Sequence, residues 1–236
     1  MDIKLSKRMQ AVADMVAEKN VADIGCDHAF VSIYLANKPN TESVIAMDVR
    51  KGPVDIARAN VAMHNLENKI QVRMSDGFEK LQVGEAQAAV IAGMGGYLMI
   101  NILEAGKRHL EAGISLVLQP QSDIKAVREY LVQNGYGIIK EEMLIDEGKY
   151  YTVMRAVPVK EMTEYSQEEY SFGPLLLSQK HPVLKSYLEK LRDKDEQLID
   201  ILDRSETDNS RERSRELFED KQYIERILDT YFKEGV

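Results

Sequence analysis

The segment DIGCDHA, residues 23–29, brings a glycine, a thiol, two carboxylates and an imidazole within seven positions. A short apolar run leads into it and a helix-like stretch follows, so Gly25 stands at a strand-to-helix turn. Backbone N–H groups face outward from such a turn, and a glycine lets a ligand come close to the backbone. With only one glycine the segment also fits an ordinary βα turn, since the fuller Gly-x-Gly-x-x-Gly fingerprint is absent. Asp48 extends the pattern. It closes the run VIAMD, 23 positions after Gly25. A carboxylate there can accept hydrogen bonds from both hydroxyls of a ribose.

Asp76 follows the next apolar run in MSDGF. Methyltransferases built on such a sheet place an acid there, facing an adenine amino group. The order turn, ribose acid, adenine acid points to S-adenosylmethionine rather than a nicotinamide dinucleotide, whose pyrophosphate turn keeps more glycines. The candidate cofactor residues are Gly25, Cys26, Asp27 and His28 from the first turn, Asp48 and Val49 from the second, and Asp76 and Gly77 from the third. A fourth run ends in AGMGG, which adds Gly93, Met94, Gly95 and Gly96. Glycines at a strand end contribute no packing and lose chain entropy, so close ligand approach is the expected reason for them. The Asn/Asp-Pro-Pro-aromatic motif of many amino-methylating enzymes is absent here. Cys26 and His28 are too close in sequence to face one another, and no oxyanion motif follows them. The four histidines are scattered with no paired spacing, so no metal site is expected.

These residues need a sheet to position them. Apolar runs at 21–24, 43–47, 70–74, 88–92 and 114–118 alternate with helix-like stretches at 29–37, 52–65, 97–109 and 123–134. That alternation predicts a parallel sheet covered on both faces, an α/β Rossmann-like arrangement. Two further runs, 136–145 and 150–157, have only Glu147-Gly148-Lys149 between them and predict a hairpin, so that the sheet ends with one antiparallel strand. Pro53 suits the first turn of its helix, Ser122 or Asp123 the cap of the next, and Gly135 its left-handed exit. The composition changes after Pro158. Residues 160–170 read as a polar linker. Two stripes follow, Leu184, Leu188, Leu191, Leu198, Ile201, Leu202 and then Leu217, Ile224, Ile227, Leu228, Tyr231, joined by a polar turn at 205–210. They predict an antiparallel helical hairpin of coiled-coil type. The expected domains are 1–158 and 159–236.

The 236 residues are 44% hydrophobic and 30% charged, an ordinary globular balance. The single cysteine excludes an internal disulfide, no leader or spanning run is visible, and a cytoplasmic setting is expected. The net charge of −8 divides into −2 over residues 1–156 and −6 over the remainder. A nucleic-acid partner would therefore need a local basic patch. Lys4, Lys7 and Arg8 stand at helical spacing, and Arg50 and Lys51 follow the ribose acid. Arg204, Arg211, Arg213 and Arg215 gather at the hairpin tip. Each group equally suits a solvated face.

Read together, LSKRM, DIGCDHA, AMDVRKGP, SDGF, IAGMGG, LVLQPQ, EGKYYTV and FGPLLLSQKHPVLKSYL resemble the bacterial tRNA (adenine(22)-N1)-methyltransferase family over essentially the whole chain. Many relatives have Tyr-Leu-Pro where this chain has Phe30-Val31-Ser32. The resemblance implies a Rossmann-like class I methyltransferase domain with a C-terminal coiled-coil hairpin. It implies tRNA and S-adenosylmethionine as partners and methylation at adenine N1, with no obligate protein partner. It makes Asp27 and His28 the candidates for holding the methionine end of the cofactor or orienting the base, with Lys51 near cofactor or phosphate. The remaining alternatives are a nicotinamide-dependent oxidoreductase and a non-catalytic protein that docks through the hairpin.

Overall fold

The computed structural model describes residues 3–161, 164–204 and 207–233. Seven strands form one sheet in the order β3-β2-β1-β4-β5-β7-β6. They are β1 Asn20–Ile24, β2 Ser43–Asp48, β3 Ile70–Met74, β4 Ala88–Met94, β5 Ser115–Pro120, β6 Tyr136–Asp146 and β7 Lys149–Pro158. The first five are mutually parallel, and β7 runs antiparallel to both neighbours. The antiparallel strand is therefore second from the edge, inserted between β5 and β6, and not the terminal strand expected from the hairpin. The central strands are buried on both faces, as Ala22, Ala46, Val90, Ile91, Val117 and Leu118 show. That burial explains their continuous apolar runs.

Helices α1 Lys7–Met15, α2 Phe30–Ala36, α3 Lys51–Met63, α4 Gly96–Ala105, α5 Lys107–Glu111 and α6 Ile124–Gln133 belong with this sheet. The stretch expected as one helix over 97–109 is divided at Gly106. A Cβ on Gly106 would fall inside the Phe78 ring, so glycine makes room for that aromatic where the helix breaks. The β6–β7 link is a two-residue turn. Glu147 has φ 49° and Gly148 φ 76°, the left-handed pair that matches strand twist. Beyond Pro158 come α7 Gln167–Phe172, α8 Pro174–Ser178, α9 Pro182–Leu202, α10 Asp208–Ile227 and a π-helical turn, Leu228–Phe232. Residues 167–170, expected as linker, are thus helical.

The chain divides into two compact units, Met1–Ser166 and Gln167–Val236, a division eight residues later than 158/159. In the second unit α9 packs along α10. Leu184, Leu188, Leu217, Ile224 and Ile227 are buried, whereas Ile201, expected in the stripe, is 62% exposed. Thr207 caps α10 by accepting from Ser210 N. Residues 205 and 206 of the expected polar turn lie outside the described residues. No helix among the described residues is long and apolar enough to cross a membrane.

Candidate functional site

The strand order reverses beside β1, whose neighbours are β2 and β4. At such a switch point the loops after adjacent strands part, and a crevice opens at their C-terminal ends. DIGCDHA, Asp48 and AGMGG all arrive at this place.

In the turn after β1, Gly25 has φ +75°, and Gly25 N and Cys26 N both donate to Met47 O of β2, at 2.7 and 2.9 Å. Asp27 and Ala29 also adopt left-handed backbone, φ 50° and 61°. Such a conformation costs a non-glycine residue roughly 1–2 kcal/mol, so the turn is held by its surroundings. Asp48 supplies the hold. Its side chain is 5% exposed. One oxygen accepts from Asp27 N at 3.3 Å and the other from Arg50 N at 2.9 Å. The carboxylate expected to meet a ribose thus also ties the first turn to the second. Asp76 is exposed in the loop after β3, and Gly77 beside it has φ +51°.

Asp27 stands 3.8 Å from Arg50 and 3.9 Å from His28 Nε2. The His28 ring meets Phe30 edge-to-face, and its carbonyl accepts from Asn60 Nδ2 at 2.9 Å. Cys26 Sγ lies 4.0 Å from Asp27 O. Its buried thiol is pushed far above its usual range, by burial first and then by the charges of Asp23, Asp48 and Asp27. Sequence reasoning passed over Asp23, although an acid inside an apolar strand was a visible signal. It is buried, accepts from Ser32 Oγ at 2.5 Å, and burial raises its pKa to about 6.

The turn after β4 has a different construction. Its strand pairing shifts register between Ala92 and Met94, and the bulged Gly93 has φ +77°. A Cβ on Gly96 would lie 2.6 Å from Ser122 O and 2.9 Å from Asp123 O. One on Gly95 would lie 3.2 Å from Ser122 Oγ. These glycines thus have reasons within the protein itself, beside the expected approach of a ligand. Gly93 answers to backbone conformation, and Gly95 and Gly96 to packing against the loop after β5. Ser122 does not cap α6, nor does the side chain of Asp123 at the cap position. The Ser122 hydroxyl instead accepts from Gly96 N at 3.4 Å and donates to Asp123 Oδ2 at 2.7 Å. Met94 reaches across to the first turn, where a Cβ on Gly25 would overlap its methyl group.

The basic residues separate. Lys4 precedes α1, which Ser6 caps by accepting from Met9 N, so Lys4 shares no helix with Lys7 and Arg8. Lys7 lines a groove of about 390 Å³ between α1 and β6, with Lys140 and Glu142. Arg8 turns into the crevice, where its Nη1 donates to Gln119 Oε1 at 2.8 Å and its guanidinium stands 5.2 Å from the Tyr151 ring centre. Arg50 faces Asp27 and Asp48, whereas Lys51 pairs along α3 with Asp55 at 2.6 Å. On the hairpin, Arg211 and Arg213 pair with Asp208 and Glu216. Arg215 lines a groove with Phe218. Exposed apolar side chains border the crevice, namely Phe30, Val49 and Tyr97. A separate cavity of about 370 Å³ opens at the opposite, N-terminal ends of the strands, beside Gln87, His109 and Ser115. No motif leads there. Among the described residues no group of three or more His, Cys, Asp or Glu is placed to hold a metal ion.

A family profile, TrmK: tRNA (adenine(22)-N(1))-methyltransferase, matches residues 21–226. The chain is 34% identical to the tRNA (adenine(22)-N(1))-methyltransferase of Bacillus subtilis over 97% of its own length and 98% of the relative's. Its structure is similar to that of Streptococcus pneumoniae Sp1610, a putative tRNA (m1A22) methyltransferase in complex with S-adenosyl-L-methionine. The TM-score is 0.82 at 31% identity, covering 95% of this chain and 100% of that one. It is also similar to M. capricolum TrmK in complex with S-adenosyl-homocysteine, with TM-score 0.78 at 26% identity over 94% and 99% of the two chains. The profile spans most of the chain and the B. subtilis relative nearly all of it, so the chain belongs to the tRNA (adenine(22)-N(1))-methyltransferase family.

Proposed function

We propose that this chain transfers the methyl group of S-adenosylmethionine to N1 of adenine 22 in tRNA, in the cytoplasm. The observation that carries the reading is the convergence of the turn after β1, Asp48 and the turn after β4 at one strand switch point, in a chain of this family. The residues fit the cofactor. Carboxylates stand at the ends of β2 and β3, where ribose and adenine groups would be held. At Gly25 the space of a side chain is filled only by the movable end of Met94. When bound, S-adenosylmethionine supplies a methyl group activated by its sulfonium charge.

The protein's part is then mainly positioning. Adenine N1 carries its own lone pair, so no proton has to leave before the methyl arrives and no general base is required. Asp48 orients the ribose while it holds the first turn, and Asp76 takes the adenine end. Asp27, on left-handed backbone, and His28 beside it orient the methionine end or the target base. N1 lies on the Watson–Crick edge, so the base must be unpaired or turned out to react. The exposed aromatic rim of Phe30 and Tyr97 offers a surface on which such a base can stack. Arg50 and Lys7 are suited to phosphate. A nicotinamide cofactor and a purely docking role have no observation in their favour.

The test is transfer of labelled methyl from S-adenosylmethionine to unmodified tRNA, followed by mapping of the modified nucleotide. Methyl at N1 of adenine 22 supports the proposal. Cofactor binding without transfer, or methyl at another nucleotide, defeats it.

A further inference from the structure

We infer that Gln119 is a positioning residue for methyl transfer: it ties the bulge at Gly93 to the Arg8 guanidinium and so sets the turn after β4. The inference rests on the proposed reaction and adds to it a role for the LQPQ segment and for the start of the chain. A bulged residue leaves the strand ladder, and its N–H needs another partner. Gly93 N finds Gln119 Oε1 at 3.2 Å. The same oxygen accepts from Arg8 Nη1 at 2.8 Å, and Gln119 Nε2 donates to Pro120 O at 3.0 Å. Gln119 is 0% exposed. Three bonds fix its carboxamide, because a flipped amide would set its NH₂ against two donors.

Arg8 is fixed from three directions. Gln119 holds one end of the guanidinium, the Tyr151 ring lies against it, and Arg8 N donates to Asp146 Oδ2 at 3.2 Å at the end of β6. A Cβ on Gly93 would lie 3.4 Å from Arg8 Nη1, so the cation sits against the bulge itself. Met94, the next residue, carries the methyl that occupies the side-chain space of Gly25. A shift of the bulge therefore moves both Met94 and the charge of Arg8 relative to the first turn. Displacements near 1 Å in such a site typically cost about 100-fold in rate.

The test compares Gln119→Met, Gln119→Glu, Arg8→Met and the double variant Arg8→Met/Gln119→Met. Each is measured by calorimetry with S-adenosylhomocysteine, by melting temperature, and by kcat and KM for tRNA per folded enzyme. Gln119→Met is expected to weaken S-adenosylhomocysteine binding about fivefold and to lower kcat about 30-fold, with KM for tRNA within about threefold. Gln119→Glu keeps the accepting oxygen and is expected to recover most of that loss. The double variant should be little worse than either single one, because the pair acts as a unit. If Gln119→Met only melts earlier, with normal affinity and normal kcat, Gln119 is merely structural and the inference is overturned. Where Gln119→Met does not fold, Arg8→Met decides, and unchanged kcat and affinity there overturn it too. A wild-type enzyme that binds S-adenosylhomocysteine but methylates no tRNA sinks the proposed function, while the binding measurements still judge Gln119.

Discussion

The turns after β1 and after β4 meet at the same crevice, yet they are held in opposite ways. The first has one glycine and two left-handed residues that are not glycine, Asp27 and Ala29. A buried carboxylate, Asp48, ties it through Asp27 N to the turn after β2. The second has three glycines and is held by uncharged groups, the Gln119 carboxamide and the Ser122 hydroxyl. At Gly25 an added side chain meets the flexible tip of Met94, but at Gly96 it meets backbone. Conformational freedom is therefore supplied by charge and strain in one turn and by glycine in the other. The first turn should be sensitive to loss of an anion, and the second to added volume.

The largest expected effect is that of Gly96→Val. Its Cβ would press on Ser122 O and Asp123 O, which cannot move as side chains can. We expect a loss of about 3 kcal/mol in chemical denaturation, the upper end of ordinary overpacking, and no measurable cofactor binding. Near-normal stability would show that the loop after β5 yields and would erase the contrast with Gly25.

Asp48→Ala comes next. It removes an ionic acceptor from two backbone N–H groups, a loss of about 2 kcal/mol, and should weaken S-adenosylmethionine binding at least tenfold by calorimetry. Unchanged affinity would remove Asp48 from the cofactor site and leave it only the hold on the turn.

A smaller effect depends on pH. Asp23 has a folded pKa of about 6, raised from 3.8 mainly by burial. The native state then binds more protons than the unfolded chain between these values, so this group makes stability fall as pH rises from about 4 to 6 and level off above. Asp23→Asn should show its stability relative to wild type growing through that window, by on the order of 3 kcal/mol. A constant difference between the two unfolding curves would contradict the buried, charged reading.

The smallest effect is expected for Gly25→Ala, about 1 kcal/mol for a left-handed alanine, with the Met94 tip displaced. The same substitution with affinity lowered a thousandfold would mean that the first turn is as intolerant of volume as the second.

Two buried polar groups show why part of this was hidden from the sequence. Arg128 and Glu141 are 1% and 0% exposed at their side chains, paired at 2.9 Å between α6 and β6. In the sequence each is an ordinary charged residue on a helix or strand, and nothing local says that the two faces meet. Gln119 stands in LQPQ, and a glutamine in an apolar strand announces burial but not its partners. Spacing alone puts Arg8 with Lys4 and Lys7, and its partners Gln119 and Tyr151 lie more than a hundred residues away.

Local chemistry settled what it could. Apolar runs alternating with helical stretches specified a mainly parallel sheet, and strand-end glycines and acids marked the crevice side of it. The left-handed exit at Gly135 was readable because glycine is the residue that tolerates it, and the short link around Gly148 announced a hairpin. Tertiary structure decided which strand lies next to which, including the insertion of β7 between β5 and β6. It also decided that Asp48 holds the backbone of two turns, and that Arg8 meets Gln119 and Tyr151. These are contacts between distant segments, and no period or spacing along the chain encodes the direction in which a side chain meets a partner from another strand.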